Sequence, residues 1–360
     1  MKLNNSVVAL LALAVLGGCA TVKQTSQAHA PSVAMEHANI AVQLKWNNQA
    51  QFAGFYAAQE KGFFKDAALD VTFIPGGPGI VPEQAVAVGL AQFGVDWAPH
   101  IQVRRAKGSP MVEIAQLFQR SGAVIVLRKS AGLNKIEDLK GKKFGIWLAG
   151  NEYEFFPALL KHGINPKTDV EIVNQADNVT PFVKGELDAV AAMSYNELYQ
   201  IYNSTNTATG KNYSKDDLTV IPLEKEGLGI PEDAIFTSES QLSTQRGQDV
   251  AERFLRATFR GFLYCRTNPQ ECVDFTLKYA PGANRDAQSW MMNEVNRLIW
   301  PSKDGIGMLQ DGVFNQMNSD LFKNAFLSQP ADGNGFTMKY KTNAIDQLHG
   351  LDMEGTHLPK

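Results

Sequence analysis

Aromatic side chains recur beside amides and carboxyls just after short apolar runs. Trp46 stands with Gln49 and Gln51, Asp96 with Trp97, Trp147 with Asn151, Glu152 and Tyr153, and Tyr195 follows Met193-Ser194. An indole or phenol ring stacks on a flat molecule, while an amide or carboxyl beside it fixes orientation through hydrogen bonds. Such a set suits capture of a planar heteroaromatic ring. Phe52 and Tyr56, four apart, share one helix face and would add to the same wall. Gly76 and Gly77, in Pro75-Gly76-Gly77-Pro78-Gly79, allow backbone amides to approach a ligand, but the following helix lacks the Lys-Ser/Thr of a nucleotide loop. Each feature has a plainer alternative. Trp46 would cover a core edge, Phe52 and Tyr56 would pack a helix on its sheet, and Gln49 and Gln51 would be solvated. The glycines would form a simple turn, Asp96 would cap the helix that follows, and Glu152 would complement a helix dipole.

The elements that must position these residues alternate. Ile40–Leu44, Asp70–Ile74, Phe93–Val95 and Met111–Leu117 read as strands, with helices over Gln51–Lys61 and Pro82–Val88. A second set follows, with strands at Val124–Leu127, Lys143–Ile146, Val170–Val173 and Ala189–Ala192 and helices near Tyr153–His162 and Val179–Lys184. Parallel α/β units bind ligands at the carboxyl ends of their strands, which is where Trp46, Trp97, Trp147 and Tyr195 fall. Beyond Phe236 the chain turns helical. Phe254, Leu255, Thr258, Phe259, Phe262 and Leu263 form one apolar stripe, read as core. Thr205–Lys215 reads as a loop, and the last fifteen residues carry little signal and are expected to be loosely ordered.

The net charge of −3 and the absence of a basic block give no support for nucleic acid as a partner. Six scattered histidines suggest no catalytic constellation, and no metal or cofactor is expected. Lys2 followed by the apolar run Val7–Leu16, too short to span a bilayer, reads as a secretory signal. Leu16-Gly17-Gly18-Cys19 resembles a bacterial lipobox, which makes residues 1–18 a signal peptide, Cys19 the lipidated mature terminus and residues 19–38 a tether. The alternative is an ordinary signal peptide that is cut elsewhere and discards Cys19. In an oxidising compartment Cys265 and Cys272, separated by a helix stop and start, are expected to pair; two buried inert thiols are the alternative. No histidine near them has metal-ligand spacing.

Val42-Gln43-Leu44-Lys45-Trp46, Gln51-Phe52-Ala53-Gly54-Phe55-Tyr56, Glu60-Lys61-Gly62-Phe63-Phe64 and Asp138-Leu139-Lys140-Gly141 together resemble the SsuA/THI5-like (NMT1/THI5) solute-binding proteins, over about residues 40–275. The Gln-Phe-Ala-Gly-Phe-Tyr version is most similar to the branch that binds thiamine pyrimidine precursors and, more distantly, riboflavin. The resemblance implies a type II periplasmic-binding fold, with two α/β lobes joined by two crossing strands around a ligand cleft. Lobe I would comprise residues 40–120 and 235–360, and lobe II residues 121–234. It further implies a monomer in the cell envelope, lipid-anchored through Cys19, that presents its ligand to an ABC permease and ATPase. A formylated or hydroxymethyl aminopyrimidine leads as ligand, ahead of a flavin and of a sulfonate or nitrate. A sensing role for a signalling partner is an alternative. So is an enzyme like the family's pyrimidine synthases, but their cysteine-rich motif has no counterpart among Cys19, Cys265 and Cys272.

Overall fold

The structure, a computed structural model, describes residues 35–356; the expected signal run and Cys19 lie outside the described residues. Two five-stranded sheets organise the chain. The first takes β1 (Ala38–Gln43), β2 (Leu69–Ile74), β3 (Phe93–Asp96) and β4 (Met111–Gln116) from the first third of the sequence. The second takes β5 (Ala123–Arg128), β6 (Lys143–Ile146), β7 (Glu171–Asn174) and β8 (Ala189–Met193), and the chain then passes through a small ribbon of β9 (Thr205–Asn206) and β10 (Lys211–Asn212). That ribbon lies where the sequence reads as loop. β11 (Leu218–Pro222) completes the second sheet, and β12 (Ala234–Ser238) returns to the first.

The strand orders are β2-β1-β3-β12-β4 and β11-β5-β8-β6-β7. In each sheet four strands run in one direction, and the single antiparallel strand, β12 in the first and β5 in the second, belongs to a chain segment that has just crossed from the other sheet. Central β3 and β8 are buried along their whole length, as apolar runs covered on both faces must be, whereas edge strand β7 is half-exposed.

The first sheet is flanked by the 23-residue helix Gln245–Thr267, whose stripe of Phe254, Leu255, Thr258, Phe259, Phe262 and Leu263 is buried as its spacing requires. Phe254 stacks on Phe93 at 4.3 Å between centroids. The helix lies against Ala53–Glu60 so closely that a Cβ on Gly261 would fall 1.9 Å from the Gly54 carbonyl oxygen. A disulfide joins Cys265, near the end of this helix, to Cys272 in the next helix, Pro269–Tyr279. The tail departs from expectation through residue 356: Leu348 is buried, and Arg266 donates to the Asp352 carbonyl at 2.7 Å. Among the described residues no helix is long and apolar enough to cross a membrane.

Candidate ligand-binding cleft

Four parallel-strand ends converge between the sheets. β1 runs on into Lys45 and Trp46, β3 into Trp97, β6 into Trp147, and β8 into Met193, Tyr195, Asn196 and Glu197. With Gln49, Gln51 and Asn151 from the turns that follow, these side chains line one narrow pocket, with a cavity of about 20 Å3 in this structure. Trp46 and Trp147 meet edge to face across it, with centroids 5.9 Å apart. The Trp147 indole is locked by donating to the Ala176 carbonyl at 3.0 Å.

On the first-sheet side the polar groups are already engaged. The Lys45 ammonium sits 4.6 Å over the Trp97 ring and donates to Asp96 Oδ1 at 2.5 Å. His100 Nδ1 lies 3.0 Å from the same oxygen. Burial alone would raise the Asp96 carboxyl, but His100 and Lys45 outweigh it and hold the group well below the usual carboxylate range. Burial in turn pushes His100 down. Gln49 Nε2 donates to Gln51 Oε1 at 2.6 Å, and Gln51 Nε2 donates to both oxygens of Asp233 at 2.9 and 2.8 Å.

On the second-sheet side Glu197 accepts the Met193 amide at 2.9 Å and the Asn196 side-chain amide at 2.7 Å. Burial pushes its carboxyl up to about 7, against the pull of the backbone hydrogen bonds. Burial also raises the Tyr195 phenol well above its ordinary value. A carboxyl poised near neutrality beside stacked rings can accept from a ring amino group or share a proton with a ring nitrogen.

The cleft thus gathers Trp46, Gln49, Gln51, Trp97, Trp147, Asn151 and Tyr195 from the sequence-derived set. The others lie elsewhere, for identifiable reasons. Phe52 and Tyr56 do share a helix face, but that face is turned into the core, where Tyr56 stacks on Tyr279 at 4.3 Å and its hydroxyl donates to Asn48. The amides of Gly76 and Gly77 donate to the carbonyls of Trp46 and Lys45, so this loop braces the end of β1 and offers nothing to a ligand. Asp96 is consumed by Lys45 and His100. Glu152 turns back to accept the Gly150 amide at 2.7 Å, and Tyr153 leans on His100 and Phe326 along a separate groove.

A model of the family described as NMT1/THI5 like matches residues 49–272, more than half of the chain. The chain belongs to the NMT1/THI5-like family. A Haemophilus influenzae protein named for thiamine biosynthesis is 28% identical, covering 75% of this chain and 80% of its own. The riboflavin-binding protein RibY of Chloroflexus aurantiacus is 24% identical over 92% and 95%, and the formylaminopyrimidine-binding protein of Halalkalibacterium halodurans 23% over 79% and 81%. A 4-amino-5-hydroxymethyl-2-methylpyrimidine phosphate synthase of Legionella pneumophila is 27% identical over 66% and 72%. The solved alkanesulfonate-binding protein SsuA of Xanthomonas axonopodis pv. citri aligns with a TM-score of 0.63 at 14% identity, over 84% of this chain and 99% of its own. This NMT1/THI5-like chain has the type II periplasmic-binding fold.

In this member of the family, sequence reasoning passes over Lys45, Glu197 and Asp233. Only the adjacency of an aromatic residue, Trp46 for Lys45 and Tyr195 two residues before Glu197, hints at the cleft.

Proposed function

We propose that the chain is the solute-binding component of an ABC importer, and that it captures one planar amino-heteroaromatic ring of the thiamine-precursor type, a formylated or hydroxymethyl aminopyrimidine first. The observation that carries this reading is the make-up of the cleft, where Trp46, Trp97, Trp147 and Tyr195 wall one pocket and Glu197 supplies an acceptor. An exocyclic amine would donate to Glu197 while the ring packs on the indoles, whose mutual edge-to-face contact must part to admit it. The Lys45 charge is matched by Asp96, so the floor holds no unpaired cation for a sulfonate or nitrate. RibY makes a flavin the ligand to test against.

The proposal includes closure of two lobes, residues 40–120 with 235–360 against 121–234, on the ligand. It also includes anchoring through a lipid on Cys19, a monomeric state, delivery to a permease and ATPase, and binding without turnover. Mass spectrometry of the molecule released from purified protein tests the central point. Calorimetry should rank 4-amino-5-hydroxymethyl-2-methylpyrimidine above riboflavin and an alkanesulfonate; the reverse order overturns the reading. Release of newly formed 4-amino-5-hydroxymethyl-2-methylpyrimidine phosphate would point to synthase chemistry instead. Loss of membrane partitioning in Cys19→Ser tests the anchor.

A further inference from the structure

The two segments that cross between the sheets are laced together by an acid pair. Leu117 and Phe118 in one segment donate their amides to the carbonyls of Asp233 and Glu232 in the other. The Glu232 carboxyl accepts from the Gly122 and Ala123 amides and from Ser121 Oγ at 2.8–3.2 Å. Asp233 points the other way, toward the cleft. Its backbone holds φ +54°, a region in which a side chain with a Cβ is rarely found, so the local turn is imposed by its surroundings. Its carboxyl grips Gln51 by both oxygens, and Gln51 grips Gln49. A continuous chain of hydrogen bonds therefore runs from the crossing strand to two amides on the cleft wall.

We propose that Asp233 is a positioning residue that couples the crossing strands to the hydrogen-bonding edge the cleft offers its ligand. This rests on reading the cleft as the ligand site. With the carboxylate accepting only, Gln51 must turn its Nε2 toward Asp233 and its Oε1 toward Gln49. That spends one Gln49 N–H and leaves Gln49 Oε1 uncommitted to either partner as an acceptor. A rotation of the crossing segments that moves Asp233 moves both amides with it, so the arrangement of the polar edge and the lobe angle change together.

Protonation reaches the same chain. Burial, partly offset by Gln51, raises the Asp233 carboxyl to about 7. Lys45 lowers it and Asp96 raises it; the Trp97 indole N–H faces it, and its charge is felt by Glu232 and Tyr195. As pH falls through about 7, Asp233 gains a proton and loses acceptor capacity toward Gln51. Glu197 and Glu232 titrate in the same range, at about 7 and about 8, so the informative quantity is the difference between wild type and Asp233→Asn.

The test has two arms. In the ligand-free protein, the side-chain 15N amide signals of Gln49 and Gln51, assigned by single replacement, are expected to shift together between pH 6 and 8. Asp233→Asn should abolish both shifts, and Gln51→Leu should abolish that of Gln49 while leaving the hinge intact. If Gln49 stays indifferent to Asp233, the coupling is absent. In the second arm, calorimetry with 4-amino-5-hydroxymethyl-2-methylpyrimidine should give about tenfold weaker binding for Asp233→Asn and for Gln51→Leu, and no further loss in the double variant. Additive losses would overturn the proposal. If the wild type ignores this pyrimidine, the functional reading fails, while the first arm still decides the coupling.

Discussion

The two sides of the cleft begin alike and end differently. Each sends a strand into a tryptophan, Trp46 after β1 and Trp147 after β6, and each then turns into a helix. On the first-sheet side Lys45 is held by Asp96, Gln49 by Gln51, and Gln51 by Asp233 of the crossing strand. On the second-sheet side the acid that lines the pocket, Glu197, comes from a different strand end than the indole, and the acid that does follow the indole, Glu152, accepts from its own turn and lies outside the pocket. Rings can be supplied by one repeated step of the fold. Polar contacts depend on which neighbouring group has already been satisfied.

The comparison can be broken most directly at the rings. Removing either indole deletes stacking and burial of roughly 1.5–3 kcal/mol, one to two decades in affinity, and Trp46→Ala with Trp147→Ala together should weaken binding by at least a hundredfold in calorimetry. Tight binding by the double variant would end the idea that the rings do the same task on both sides. The next effect concerns stability alone. Reducing Cys265–Cys272 opens a short loop between helices Gln245–Thr267 and Pro269–Tyr279, neither cysteine lining the cleft, and should cost about 2–3 kcal/mol in denaturant unfolding while affinity stays constant. A parallel loss of affinity would mean that the helical body sets the cleft.

Glu197→Gln should weaken an amino-bearing ring by about tenfold, because a neutral amide is a poorer acceptor than the carboxylate present above pH 7. The penalty should shrink as pH drops below 7 and the wild-type carboxyl protonates. Glu152→Gln should do almost nothing to binding, since that side chain faces the Gly150 amide. Equal responses from these two acids would erase the distinction between the sides.

Much of the fold is legible in the sequence, because apolar runs of strand length and the stripe from Phe254 to Leu263 dictate burial whatever surrounds them. Strand ends are legible for the same reason, and with them Trp46, Trp97, Trp147 and Tyr195. Helix faces are not. Phe52 and Tyr56 are buried, Tyr56 against Tyr279, some two hundred residues on, and local spacing carries no trace of that. Buried charge is the least legible. Lys45 becomes a wall of the cleft only once Asp96, 51 residues away, neutralises it, and Asp233 matters only because a crossing strand delivers it to Gln51.

Three of the five tryptophans, Trp46, Trp97 and Trp147, stand around one small space, and the other two, Trp290 and Trp300, do not line it. Much of the near-ultraviolet emission and dichroism of this chain therefore originates at a single spot, where one indole carries an ammonium 4.6 Å above its face and the other two sit edge to face. The molecule carries its own optical gauge, sited where a guest would arrive, and needs no attached dye to report an occupant.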